Sequence, residues 1–179
     1  MLAKFKQSLN ELKSIKNLSL IAVFMSIWII LVLMVVEVSS FISISFEFIA
    51  VCLTGAMFGP FVGAIFGFFG DILAYMVHPV GAFYIFYAIS VMVDGLIYGL
   101  ILYKNKYGVK RVVISQITRD VITNLFLNTI FIHMQNGGNL LHIFLFMRLP
   151  KNIVKIPVNC IIMVLVTKIV EKRIKKSNI

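Results

Sequence analysis

The 179 residues are 60% hydrophobic and only 13% charged, with a mean hydropathy of +1.00, well beyond the roughly half-apolar composition of a soluble domain. That excludes a soluble enzyme or adaptor and predicts one integral-membrane domain over 1–179, with room for about five to seven helical spans of ~20 residues each. The net charge of +10 does not point to nucleic acid, because the cations form no basic face interleaved with aromatics; here charge reports topology.

The chain opens with "MLAKFKQSLNELKSIKN" (1–17), a basic stretch that leads straight into apolar sequence. No cleavable signal is expected there, because the polar character runs its whole length. The first segment covers Leu18 to Val36 and is followed by the polar strip "EVSSFISISFE". The second, "FIAVCLTGAMFG", is too short to span alone and is expected to reach Pro60 by tilting or by enlisting Phe46. The third runs from Phe61 to Val77, where His78, Pro79 and Gly81 break it, since proline lacks a donor and glycine permits the turn. The fourth covers Ala82 to Tyr103, and the basic loop "KNKYGVKR" separates it from the fifth, Val112 to Met134. After the turn "QNGGN" comes "LLHIFLFM", a short piece read either as interfacial or as the start of the last helix. The sixth segment covers Pro150 to Val170 and ends in the basic tail 171–179. The expected fold is an all-α bundle of six transmembrane helices.

Short cytoplasmic loops are enriched in Lys and Arg. With both termini cytoplasmic, thirteen of the seventeen cations comply: Lys4, Lys6, Lys13, Lys16; Lys104, Lys106, Lys110, Arg111; Lys168, Lys172, Arg173, Lys175 and Lys176. The four left over are Arg119, Arg148, Lys151 and Lys155. The last three follow i, i+3, i+7 spacing at the outer start of the sixth segment, on one helical face, and Asn152 and Asn159 extend it. Snorkelling to headgroups is the bland reading of such residues. Facing a water-accessible cavity, the same group would hold an anion such as a carboxylate.

A ring-bearing ligand also needs stacking surface, which "GAFYIFYAIS" supplies through Phe83, Tyr84, Phe86 and Tyr87, alongside Phe46. An interfacial aromatic belt explains the same residues. Asn124 and Asn128 lie four apart in the fifth segment, suited either to reading a heterocycle or to bonding helix to helix. Asp94 or Asp71 is expected to neutralise Arg119 inside the bundle, a proton path through these charges being the other reading. Cys52 and Cys160 have no CxxC spacing, and the three histidines lack partners at metal spacing, so neither a disulfide nor a metal site is expected. Gly59, Gly63 and Gly67, Gly95 and Gly99, and Ala22 with Ser26 are small-residue stripes of the kind that let helices approach closely. No phosphate loop, catalytic triad, paired-carboxylate site or HExxH is present, so no enzymatic activity or resident cofactor is expected, and the chain cannot hydrolyse ATP by a phosphate-loop route.

The six segments with their short second member, "GPFVGAIFGFFGDILAYMVHPVGAFY", the "GLIYGLILY" end of segment four and the Ala22/Ser26 pair resemble the substrate-binding (S) components of energy-coupling factor vitamin transporters. "RLPKNIVKIPVN" is most similar to the folate-specific members. The resemblance implies a high-affinity outer site closed by the loop after segment one. It also implies docking through Ala22 and Ser26 on a transmembrane coupling protein driven by two ATPase subunits, in the plasma membrane of a bacterium. An S component for pantothenate, a modified nucleobase or a thiamine precursor is the nearest alternative, and a ligand-free assembly subunit is the alternative from another class.

Overall fold

The structure, a computed structural model, describes residues 2–34, 36–39, 42–79, 83–105, 108–137 and 139–177. Gly81, Ala82 and Lys106, expected respectively as a turn glycine, a helix start and a cytoplasmic cation, lie outside the described residues. The elements are α1 (Leu2–Glu11), α2 (Ile15–Leu33), β1 (Val36–Ser39), β2 (Ile42–Ile44), α3 (Phe48–Phe58), α4 (Pro60–Val77), α5 (Ile85–Leu102) and α6 (Val109–Arg119). A π-helical stretch, Asp120–Leu127, joins α6 to α7 (Asn128–Asn136); after a turn come α8 (Leu140–His142), a second π-helical stretch, Ile143–Arg148, and α9 (Leu149–Ser177).

Among the described residues the regular elements are helical apart from the strip after α2, where β1 and β2 pair antiparallel with Val36 opposite Ile44 and Glu37 opposite Ser43. The alternation in "VEVS" and "ISI" suits such a ladder. Among the described residues, α2, α4, α5 and Leu149–Lys168 of α9 are long and apolar enough to cross a membrane, while α3 is short. "LLHIFLFM" continues into α9, which resolves the two readings of that piece in favour of the last helix.

Glycine builds the centre. Gly63 and Gly95 sit backbone to backbone: a Cβ on Gly63 would lie 2.7 Å from the Gly95 carbonyl oxygen, and one on Gly95 would overlap the Gly63 carbonyl. A Cβ on Gly55 of α3 would meet the same place, 3.0 Å from Gly99 N. In lipid, where apolar surface gives helices no reason to associate, this close approach gives packing energy that larger side chains would forfeit. Gly59 departs from the expected ridge. It has φ +92 and forms the turn between α3 and α4, which any other L residue would strain. Around this slab lie Phe48, Val51, Cys52, Phe66, Tyr98 and Met163, all buried. Cys52 and Cys160 are free thiols. Trp28, the buried residue of α2, stands edge-on to Phe66 at 5.9 Å.

The basic N-terminal stretch carries a helix that its polar composition does not announce. α1 is bound to the bundle at three places. Ser8 Oγ donates to the Phe58 carbonyl at 2.6 Å and accepts from Val62 N at 3.1 Å, Lys4 Nζ donates to the Leu100 carbonyl at 3.0 Å, and the Tyr103 hydroxyl donates to Glu11 at 2.8 Å. Ser8 thus serves both a carbonyl at the end of α3 and an amide in the first turn of α4, groups that helix termini leave unpaired. Ser8→Ala is expected to destabilise the protein by about 1–3 kcal/mol, the cost of orphaning buried polar groups. Thermal unfolding in detergent checks it, and a melting point equal to that of the unaltered protein would show the contact to be idle.

Candidate functional site

The head of α9 turns its cations toward the protein. Asn152 and Asn159 are buried, at 3% and 0% exposure, and Arg148, Lys151 and Lys155 are half-buried on the same side. Ile153, Val154, Ile161 and Leu165 are exposed on the other. Apolar side chains thereby meet lipid and the polar ones are withheld from it, as the cost of charge in hydrocarbon requires. Pro157 sits within the helix; lacking an N–H, it leaves the Ile153 carbonyl without its helical donor. Asn152 Nδ2 donates to the Arg148 carbonyl at 2.9 Å. Both amide atoms of Asn159 are buried without a hydrogen-bond partner among the described residues, where such an atom ordinarily costs about 1–3 kcal/mol.

No carboxylate among the described residues forms an ion pair with Arg148, Lys151 or Lys155. Two acidic groups lie nearby without contact: Lys155 is within electrostatic reach of Glu47 and Asp120, and also of Arg119. Arg148 neighbours Tyr87 and Lys151 neighbours Arg148. Three half-buried cations close to one another leave an excess of positive charge that a bound anion would relieve.

The aromatic residues divide. Tyr84 contacts Phe86 at 5.2 Å and Tyr87 at 6.2 Å, and Phe86 contacts Phe131 of α7 at 4.9 Å. The Tyr87 hydroxyl donates to Gln135 Oε1 at 3.0 Å. These residues belong to the side where α5 meets α7 and Arg148. Phe83 instead rests on Tyr75 of α4 at 5.0 Å and is 40% exposed. Phe46 is half-buried just before α3.

Arg119 is buried and bonded to two carboxylates, Nε to Asp94 at 2.8 Å and Nη1 to Asp120 at 2.9 Å. Of the two expected partners the structure selects Asp94; Asp71, on α4, takes no part in the pair. Asp120 is the member that the charge pattern did not single out. Asn124 and Asn128 are half-buried and bonded, Asn124 Nδ2 to Asp120 Oδ1 at 2.7 Å and Asn128 Nδ2 to Asn124 Oδ1 at 3.4 Å, while Ser90 Oγ donates to Asn128 Oδ1 at 2.8 Å. Extending their four-residue spacing backwards to Asp120 and Gln116 was the available signal. Among the described residues, no group of three His, Cys, Asp or Glu is arranged to hold a metal ion.

Residues 16–167 match the family described as the ECF transporter, substrate-specific component. The chain belongs to this family. Among curated relatives of this S component is the folate transporter FolT of Clostridium novyi (strain NT), 34% identical over 131 residues, which are 73% of this chain and 76% of the relative. Among solved structures, that of FolT bound with folic acid superposes with a TM-score of 0.77 at 24% identity, covering 87% of this chain and 94% of that one. The latter likeness establishes the shared fold. On this S component, Ala22 and Ser26 lie on the exposed side of α2, with Ser26 Oγ turned back to the Ala22 carbonyl at 3.1 Å. Val23, Ile27 and Ile30 continue that bare surface.

Proposed function

We propose that this S component captures folate from the exterior and delivers it for ATP-driven uptake by partner subunits of an ECF-type importer. The observation that carries the reading is the inward-turned group Arg148, Lys151 and Lys155, with no ion-pair partner among the described residues, beside the unpartnered amide of Asn159. Folate is a dicarboxylate with a flat heterocycle, and its charge fits three cations. The likeness to a relative named as a folate transporter supports the same ligand.

In this reading Arg148, Lys151 and Lys155 hold the carboxylates, with Asn152 and Asn159 alongside, while Tyr84, Tyr87, Phe83 and Phe46 give the ring and its linker apolar surface. Asn124 and Asn128 read the edge of the ring. Six segments cross the membrane, formed by α2, α3, α4, α5, α6–α7 and α9, and both termini are cytoplasmic, in the plasma membrane of a bacterium. The bare face of α2 around Ala22 and Ser26 meets a transmembrane coupling protein, to which two ATPase subunits attach.

Alanine in place of Arg148, Lys151 or Lys155 is expected to weaken folate binding by roughly ten- to a hundredfold each, because a hydrogen bond to a charged group is worth about 1.5–3 kcal/mol. Titrating the purified variants with folate and with its decarboxylated pterin fragment checks this. The fragment should lose little affinity in the same variants, since it lacks the carboxylates. Unchanged folate binding in all three would sink the assignment of the anion site, and equal affinity of folate and fragment would favour a vitamin of lower charge.

A further inference from the structure

Residues 116, 120, 124 and 128 form one continuous polar rail along the fifth segment. The Tyr98 hydroxyl donates to Gln116 Oε1 at 2.6 Å, and Gln116 Nε2 donates to Asp120 Oδ2 at 2.9 Å. The Asp120 Oδ1 atom accepts from both Arg119 Nη1 and Asn124 Nδ2. Asn124 then accepts from Asn128, and Asn128 from Ser90. In a regular α-helix, at 3.6 residues per turn, each four-residue step overshoots a full turn by about 40°, so such a rail would drift off its face. The π-helical Asp120–Leu127, with a wider turn, takes back that drift and keeps the three upper rungs in contact.

The rail has a direction, and one residue sets it. A carboxylate accepts hydrogen bonds and donates none, so the atom of Asn124 beside Asp120 has to be its NH2 group. That choice turns the Asn124 oxygen toward Asn128, which in turn has to offer its own NH2, leaving its oxygen for the Ser90 hydroxyl. Amides read by their neighbours alone are ambiguous; here the ambiguity is removed at one end by a group that cannot reverse. Asp120 is fully buried, and its carboxylate accepts from Gln116, Arg119 and Asn124 at once.

We propose that Asp120 is a positioning residue for ligand specificity: through Asn124 and Asn128 it fixes which hydrogen-bonding pattern the site offers to the edge of a bound heterocycle. This rests on the folate reading above. With both amides held one way, their second N–H hydrogens and remaining lone pairs occupy set positions. A ring presenting acceptor, donor, donor along one edge is then told apart from an isostere presenting donor, acceptor, donor.

The test compares folate, whose ring carries a 4-oxo group, with its 4-amino analogue, by equilibrium binding to the full-length detergent-solubilised protein. The unaltered protein is expected to prefer the 4-oxo ring by about tenfold or more, the scale at which a hydrogen-bonding site rejects a mismatched partner. In Asp120→Ala, which takes away the acceptor that holds the Asn124 NH2 group, Asn124 is free to reverse and the preference should fall to within about threefold. A merely structural Asp120 would weaken both ligands alike and leave the ratio intact, and that result overturns the proposal, as does equal binding of both ligands by the unaltered protein. Should Asp120→Ala fail to fold, Asn128→Asp removes the upper donor at nearly constant shape, and a ratio unmoved there overturns it equally. Failure of the unaltered protein to bind folate at all would bring down the folate reading first and this inference with it, whereas folate binding with an unmoved ratio brings down the inference alone.

Discussion

Arg119→Ala is expected to destabilise the protein by about 3–5 kcal/mol, the range seen when one partner is removed from a buried ion pair and the other charge is stranded. Here two carboxylates would be stranded, because Arg119 bonds both Asp94 and Asp120, and all three are buried. For a chain of this size the shift in melting temperature is on the order of 10 °C. Asp94→Asn should cost less, since Arg119 keeps Asp120 and the asparagine oxygen can still accept from Nε. Combining Arg119→Ala with Asp94→Asn should recover part of the loss, because one of the stranded charges is then gone. Thermal unfolding of the three variants decides it. If Arg119→Ala melted with the unaltered protein, the charges would have to be solvated, and the buried triad would be refuted.

Gly95→Ala is the second large effect. A single methyl placed there overlaps the Gly63 carbonyl carbon and oxygen, which are backbone atoms without a rotamer by which to give way. α4 and α5 have to separate, and the separation breaks contacts along their shared length, so the cost lies at or above the upper end of the ~1–3 kcal/mol range for overpacking. Gly108→Ala is the control, since a Cβ there meets nothing within 4 Å. The pair of melting temperatures should differ by several degrees, and identical values would mean that the two helices do not approach as closely as described.

Much of the architecture is written in the chain because hydrocarbon imposes few and strong rules. Apolar runs bounded by Gly59–Pro60, His78–Pro79 and the basic loop at Lys104 mark the helices within a few residues. Arg119, inside a membrane segment, has to find an acid, and Asp94 is one of the two it finds. The inward turn of Arg148, Lys151 and Lys155 follows from their spacing and from the apolar residues at 153, 154 and 161. What escaped the reading depends on tertiary contact. α1 looks like a basic tail because its order comes from Ser8, Lys4 and Glu11 meeting carbonyls and a phenol far away in sequence. The widened turns at Asp120–Leu127 and Ile143–Arg148 carry no proline or glycine to announce them. Asp120 is hidden in the sequence because, next to Arg119 in "QITRD", it looks like a neighbour of that charge rather than a rung in a four-residue series. Phe83 belongs by composition to the same aromatic set as Tyr84 and Tyr87, yet it points to Tyr75.

The glycine apposition divides the molecule into two materials. In α3, α4 and α5 the mating surfaces are main chain against main chain, a joint with no torsional alternatives, so this half behaves as a wall. From α6 to α9 the joints are instead amides, hydroxyls and a guanidinium, side chains that turn about their own bonds, and both broadened helical turns fall on this side. Any change in the outline of the molecule would therefore fall to the half whose joints are side chains, because the half joined main chain to main chain has no second arrangement to adopt.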